Sequence, residues 1–166
     1  MEKLNVMHCN SPQSCFDELE DQIPDYNPVP EGFSFELATL SPNLLWLSGH
    51  GPNLINKPPK FDYVGKIGQD LSIEEGKSAA RLVGLNLLVS AQHCLKNLNR
   101  IKRVLMVNGY INSSPGFTNQ SSVMNGCTDL FFDVFGAAGK CCRTAIGVSE
   151  LPFDMAVEIS AVFCID

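Results

Sequence analysis

The segment that most constrains this chain begins at Ser72. The run S-I-E-E places a serine three residues before Glu75, a capping box, and sets two glutamates at the positive end of the helix that follows. Ala80, Val83, Leu87, Ala91, Cys94, Leu95 and Leu98 then recur at helical spacing and form one apolar face. Leu82, Leu85, Leu88 and Val89 widen it beyond what a single contact surface needs. A helix this broadly apolar is covered on more than one side, which calls for a layered domain.

The flanking segments read as strands and one more helix. Residues 33–40 and 44–48 form a hairpin around a Ser41-Pro42-Asn43 turn, and residues 101–111 a further strand. A second helix runs from Ser121 or Ser122 to Phe135, with Cys127, Leu130, Phe131, Val134 and Phe135 inward, and Gly136 and Gly139 end it. Residues 49–71 are a long glycine- and proline-rich connection, a length that more often serves function than mere linkage. Residues 1–32 are a polar extension with one short helix over about 14–22. Its last ten residues, I-P-D-Y-N-P-V-P-E-G, are too proline-rich for a helix.

The chain closes on two alternating segments around Leu151-Pro152. In the first, Arg143, Ala145, Gly147 and Ser149 share a side; in the second, Met155, Val157, Ile159, Ala161, Phe163 and Ile165 form an apolar row with Ala156, Glu158 and Ser160 opposite. Paired as an antiparallel hairpin centred near Glu150 and Leu151, they set Arg143 and Glu158 against one another on one face among small residues. A cross-strand ion pair would explain the two charges; the small neighbours also leave room for a ligand. The element order predicts an α+β domain over residues 33–166, a single mixed sheet with both helices on one face. The other face is too apolar for water alone, which predicts an oligomer with sheets facing inward.

A net charge of −6 provides no field for phosphate backbones, so the charge balance argues against nucleic acid as a partner. The N-terminus lacks an export signal, and no apolar run is long enough to cross a bilayer. The expected location is therefore cytoplasmic, with the seven cysteines reduced. They include no C-x-x-C and no zinc-type grouping. Adjacent Cys141 and Cys142 point to opposite faces of a strand, which excludes a bridge between them.

Several motifs stand out together: Ser48-Gly49, G-K-I-G-Q-D-L-S-I-E-E-G at residues 65–76, Ala79-Ala80-Arg81, Asn125-Gly126, and R-T-A-I-G-V-S-E-L-P followed by V-E-I. This set resembles the Rid/YjgF family, the reactive-intermediate deaminases also labelled L-PSP or putative endoribonuclease. The G-K-x-G-x-D-L-S-x-E-E loop and the N-terminal extension are most similar to a longer branch of that family. The resemblance implies a chorismate-mutase-like fold and a homotrimer with ligand clefts between subunits. It further implies that Arg143 grips the carboxylate of a small enamine or imine, a task suited to a planar guanidinium. Glu158 would handle the attacking water, yielding a 2-keto acid and ammonia, with Asn125, Ser48 and Gly49 lining the cleft. No metal and no organic cofactor is implied. In two places the chain departs from the family: Phe35 stands for a tyrosine and Ala145 for a cysteine. Both departures bear on catalysis more than on binding.

Each of these residues also has a plainer reading. Arg143 and Glu158 could be each other's partners, Asn125 a local cap, and Ser48-Gly49 the end of a strand. His50 and His93 match none of the family's site positions. The expected function is hydrolytic deamination of small imines and enamines; the alternatives are a non-catalytic trimer binding small carboxylates and, more weakly, a ribonuclease.

Overall fold

Helix formation begins where the capping box puts it. In the computed structural model, which describes residues 9–26, 28–29, 34–54 and 60–166, Ser72 caps helix α2 (Ile73–Leu95) and Glu75 returns the bond to the Ser72 backbone. The helix stops at Lys96, whose left-handed backbone forms the C-cap, and Leu98 is buried in the short 3-10 turn that follows. Helix α3 (Gln120–Phe135) ends at Gly136, where φ is 57°. The two helices cross closely at Gly126, because a Cβ there would collide with the Lys77 carbonyl.

The main sheet is mixed and five-stranded. Its members are β1 (Ala38–Ser41), β2 (Leu44–His50), β5 (Ile101–Asn112), β6 (Cys142–Val148) and β7 (Val157–Ile165), and they lie in the order β1-β2-β7-β5-β6. A separate two-stranded ribbon, β3 (Asn53–Leu54) with β4 (Lys60–Phe61), breaks up the long connection. The N-terminal hairpin forms as expected, with Ser41 paired to Leu44 across the turn, although β1 begins only at Ala38 and β2 continues to His50. Phe33, at the expected start of that strand, and residues 30–32 of the lead-in lie outside the described residues.

Helices α2 and α3 cover one face. Along β7 the odd residues Val157 to Ile165 are all buried while Glu158, Ser160, Val162 and Cys164 are half-buried on the other side. Phe163 packs edge-on against Phe131 and Phe135, with ring centroids 5.5 and 6.2 Å apart. This is the α+β architecture the sequence predicts. The open face carries Trp46, Leu105, Tyr110 and Ile146, all exposed.

The C-terminal hairpin does not form. β5 lies between the two final strands, antiparallel to β7 and parallel to β6. A strand with its entire inward row buried sits in the middle of a sheet and takes a partner on each edge, and β7 finds them in β2 and β5. β6, more exposed along its length, becomes the edge. The turn between them is a 3-10 stretch at Pro152–Asp154 with positive φ at Phe153 and Asp154.

The cysteine expectation also needs correcting. Cys9 and Cys15 are joined in a disulfide, with Cα atoms 5.2 Å apart, while the other five are free. The spacing carries no motif, and what brings the pair together is helix α1 (Pro12–Asp17), started by Ser11 and Pro12. Its Cys15 and Phe16 are buried in the same core as α2 and α3. Removing the Phe163 ring (Phe163→Ala) should cost about 3–5 kcal/mol of unfolding free energy, read as a lower urea midpoint.

Candidate functional site

Arg143 points to the helix-covered face of β6, since it pairs with Val107, which in turn pairs with Ala161. There its guanidinium lies along one stripe of α3. Nη1 donates to Asn125 Oδ1 at 2.9 Å and to Thr128 Oγ1 at 2.8 Å. Nη2 donates to the Ser121 carbonyl at 3.1 Å and its hydroxyl at 2.8 Å. The stripe follows from helical spacing, for residues 121, 125 and 128 share a face. Beside it opens a cavity of about 280 Å³ lined by Asn125, Thr128, Asp129, Phe132, Lys140 and Arg143, among others. Cys141 also lines it, and burial pushes its thiol up, partly offset by Arg143.

Glu158 occupies the open face. It pairs with Tyr110, which pairs with Ile146, and its carboxylate crosses the backbone of Gly49, where an added Cβ would overlap Oε1. A side chain at residue 49 would therefore displace the Glu158 carboxylate from this position. The register between β2 and β7 shifts between Leu47 and His50, a bulge that sets Ser48 and Gly49 beside Ser160. Ser48 is tied down on its other side, its amide donating to the Leu37 carbonyl at 3.0 Å and its hydroxyl to the Glu36 carbonyl at 2.6 Å. Phe35, about half exposed, precedes that contact by one residue. Burial alone holds the Glu158 carboxyl above the usual carboxylate range.

The predicted residues therefore fall into two groups. Arg143 and Asn125 meet under α3; Glu158, Gly49 and Ser48 meet on the open face, with Phe35 nearby. Arg143 and Glu158 do not share a face within one chain, contrary to the hairpin expectation, because β5 intervenes and the register puts them on opposite sides. No ion pair joins them among the described residues. Sequence reasoning misses Ser121 and Thr128, and the signal for both is their spacing from Asn125 on α3. Among the described residues, no group of three or more His, Cys, Asp or Glu side chains is placed to hold a metal ion, and no helix is long and apolar enough to cross a membrane.

Residues 33–162 match the family model described as YjgF/chorismate-mutase-like, putative endoribonuclease. The chain belongs to this family. Protein TCP17 of Trypanosoma cruzi is 46% identical over 120 residues, covering 69% of this chain and 75% of that protein. Among solved structures, Atu1372 of Agrobacterium tumefaciens, described as having unknown function, superposes with a TM-score of 0.78 at 33% identity, covering 93% of this chain and 92% of its own. A putative endoribonuclease from Shewanella oneidensis shares the fold, with a TM-score of 0.84 at 24% identity and coverage of 94% and 100%. The YjgF-like fold thus accounts for the sheet that carries both groups of residues.

His50 supplies a pH test of the region. Burial lowers its pKa below 6.5, partly opposed by its bond to the Ser48 carbonyl. Between that lowered value and 6.5 the unfolded chain binds a proton that the folded chain does not, so stability falls as pH drops through this window. Urea midpoints of the wild type should decline below about pH 6.5 relative to His50→Gln, which cannot titrate; parallel curves would contradict this. Glu158, raised above 4.5, acts in the opposite sense in both proteins and cancels from the difference.

Proposed function

We propose that this protein hydrolyses small 2-imino and enamine acids in clefts between the subunits of a cytoplasmic homotrimer. The observation that carries the reading is the separation of Arg143 and Glu158 onto opposite faces of one sheet, Arg143 beside a polar cavity and Glu158 half-buried on the open face. A second copy docked on the open face would cover Trp46 and Tyr110 and bring its Arg143 recess against Glu158. The exposed aromatic residues on that face favour such cover.

In that cleft the substrate carboxylate takes the place of neutral acceptors on Arg143. Charge-assisted bonds are roughly twice as strong as neutral ones, so the exchange is favourable. The Ser121 and Thr128 hydroxyls, which now accept from Arg143, can turn and donate to the same carboxylate. Glu158, less acidic than an exposed glutamate, takes a proton from water as the oxygen attacks the imine carbon. Return of that proton to nitrogen completes the carbinolamine; Glu158 then takes the hydroxyl proton and delivers it to nitrogen, the C–N bond breaks as the carbonyl forms, and ammonia leaves with a 2-keto acid behind. The reaction asks for a charge clamp, a base and a water. TdcF of E. coli, which shares the fold at a TM-score of 0.57 and 16% identity over 87% of this chain and 95% of its own, was crystallised with serine bound. Serine carries the α-carboxylate that the Arg143 recess is proposed to take.

Phe35 and Ala145 favour a second reading, a trimer that binds 2-keto or imino acids without turning them over, since neither offers a proton. The two readings share Arg143 and differ at Glu158. Imines generated by an amino-acid oxidase separate them, with 2-ketobutyrate binding followed by calorimetry. Arg143→Ala should weaken binding roughly 100-fold and abolish turnover. Glu158→Gln should keep binding and lower turnover by about two to four orders of magnitude. A wild-type protein that binds 2-ketobutyrate but leaves imine decay unchanged would establish the binder. Trp46→Asp, which puts a charge on the face to be covered, should convert a three-chain species to monomers in light scattering.

A further inference from the structure

Three of the four polar side chains buried among the described residues stand together and have no part in the reaction above: His50 and Asn86, each 7% exposed, and Ser90, 3% exposed. Asn86 and Ser90 lie one turn apart on α2, interrupting its otherwise apolar surface. Asn86 Nδ2 donates to the carbonyls of Gly51 and Asn53 at 2.9 and 3.1 Å. His50 Nδ1 lies 2.8 Å from the Ser48 carbonyl, and Nε2 lies 2.7 Å from Ser90 Oγ. A carbonyl only accepts, so Nδ1 carries the proton and Nε2 accepts from the Ser90 hydroxyl. Burial favours the neutral imidazole, and in that form the two contacts select one tautomer and engage both nitrogens.

Helix α2 thus grips residues 48–53 from below, directly through Asn86 and through the Ser90–His50 chain. Above the same segment is the bulge whose Gly49 backbone supports the Glu158 carboxylate. Apolar residues at 50, 86 and 90 would fill the space but leave the Ser48, Gly51 and Asn53 carbonyls without these donors. What the polar set adds is direction: a fully satisfied network admits one backbone path, whereas an apolar contact tolerates several. A bulge leaves ladder groups unpaired, bends its strand and re-aims a side chain, so its geometry depends on the contacts around it.

We infer that His50, braced by Ser90, is a positioning residue for Glu158, holding the Ser48 carbonyl and with it the bulge on which the carboxylate rests. Its consequence for catalysis rests on Glu158 acting as the base, but the positioning itself can be read without any substrate. His50 touches no substrate in this arrangement and acts only through the backbone of residues 48 and 49.

The experiment is a carboxyl-carbon NMR titration of Glu158 in the ligand-free protein, assigned by loss of the signal in Glu158→Gln. Burial pushes the Glu158 carboxyl up, so the wild-type midpoint should lie above that of an exposed glutamate. His50→Gln keeps a donor for the Ser48 carbonyl and should retain that raised midpoint. His50→Phe fills the space without the bonds, and its midpoint should move back toward the ordinary value as the carboxylate gains water. A natively folded His50→Phe with the wild-type midpoint overturns the inference. If that variant does not fold, Ser90→Ala carries the test: a shift in the same direction supports it, and an unchanged midpoint overturns it. Imine turnover should fall roughly ten- to hundredfold in His50→Phe and recover in His50→Gln, with 2-ketobutyrate affinity unchanged. Absence of turnover in the wild type would remove the deaminase reading and leave the titration as it stands.

Discussion

β5 takes a parallel partner on one edge and an antiparallel partner on the other, and the placement of every candidate residue depends on this. Residues paired across a ladder share a face. Through Val107 the register sends Arg143 to the helix side; through Tyr110 it sends Glu158 to the open side. Had β6 and β7 paired directly, the two charges would have faced each other, and an ion pair would have been their simplest fate. With β5 between them, the two side chains have different surroundings. Arg143 is satisfied by four oxygen atoms on α3, whereas no hydrogen bond to the Glu158 carboxylate is formed among the described residues. A carboxylate half removed from water without partners is an uncomfortable group, and such groups are found where chemistry needs them.

The surroundings of the two side chains are built by different means. Around Arg143 the scaffold is a helix stripe, rigid because α3 packs through Val123, Cys127, Leu130 and Phe131 into the core. Around Glu158 it is an irregular strand, which has to be held by something other than its ladder. The buried polar side chains of α2 meet that need. The blemishes in the helix, Asn86 and Ser90, and the histidine next to the Ser48-Gly49 motif belong to one arrangement. The widest apolar helix in the chain thereby supports both the core and the site.

Much of this is legible in the amino-acid order. The capping box, the two helical stripes and the alternation of β6 and β7 identify the elements and, within each strand, which residues share a side. Family motifs single out Arg143, Glu158, Asn125, Ser48 and Gly49, and the fold brings these into two groups. Sequence does not say which strands neighbour which. A short turn with alternating flanks reads as a hairpin whether or not another strand enters between them, and pairing is decided by the burial of β7 on both edges. Ser121 and Thr128 are visible only as a spacing whose meaning depends on what lies opposite. His50 matches no family site position, and its partner Ser90 is 40 residues away, so nothing local marks the pair. The Cys9–Cys15 bridge depends on the start of α1, which brings two residues without a motif into reach.

The central claim is that Arg143 and Glu158 work together only across a boundary between two copies of the chain. Chains carrying Arg143→Ala and chains carrying Glu158→Gln, each inactive alone, can be unfolded together and refolded as mixed assemblies. If each cleft draws its arginine from one subunit and its glutamate from another, about a quarter of the clefts in a random mixture contain both wild-type residues, and imine turnover should return to that share. If both residues served from a single chain, no cleft in the mixture could be complete. Assemblies shown to be mixed yet still inactive would contradict the account.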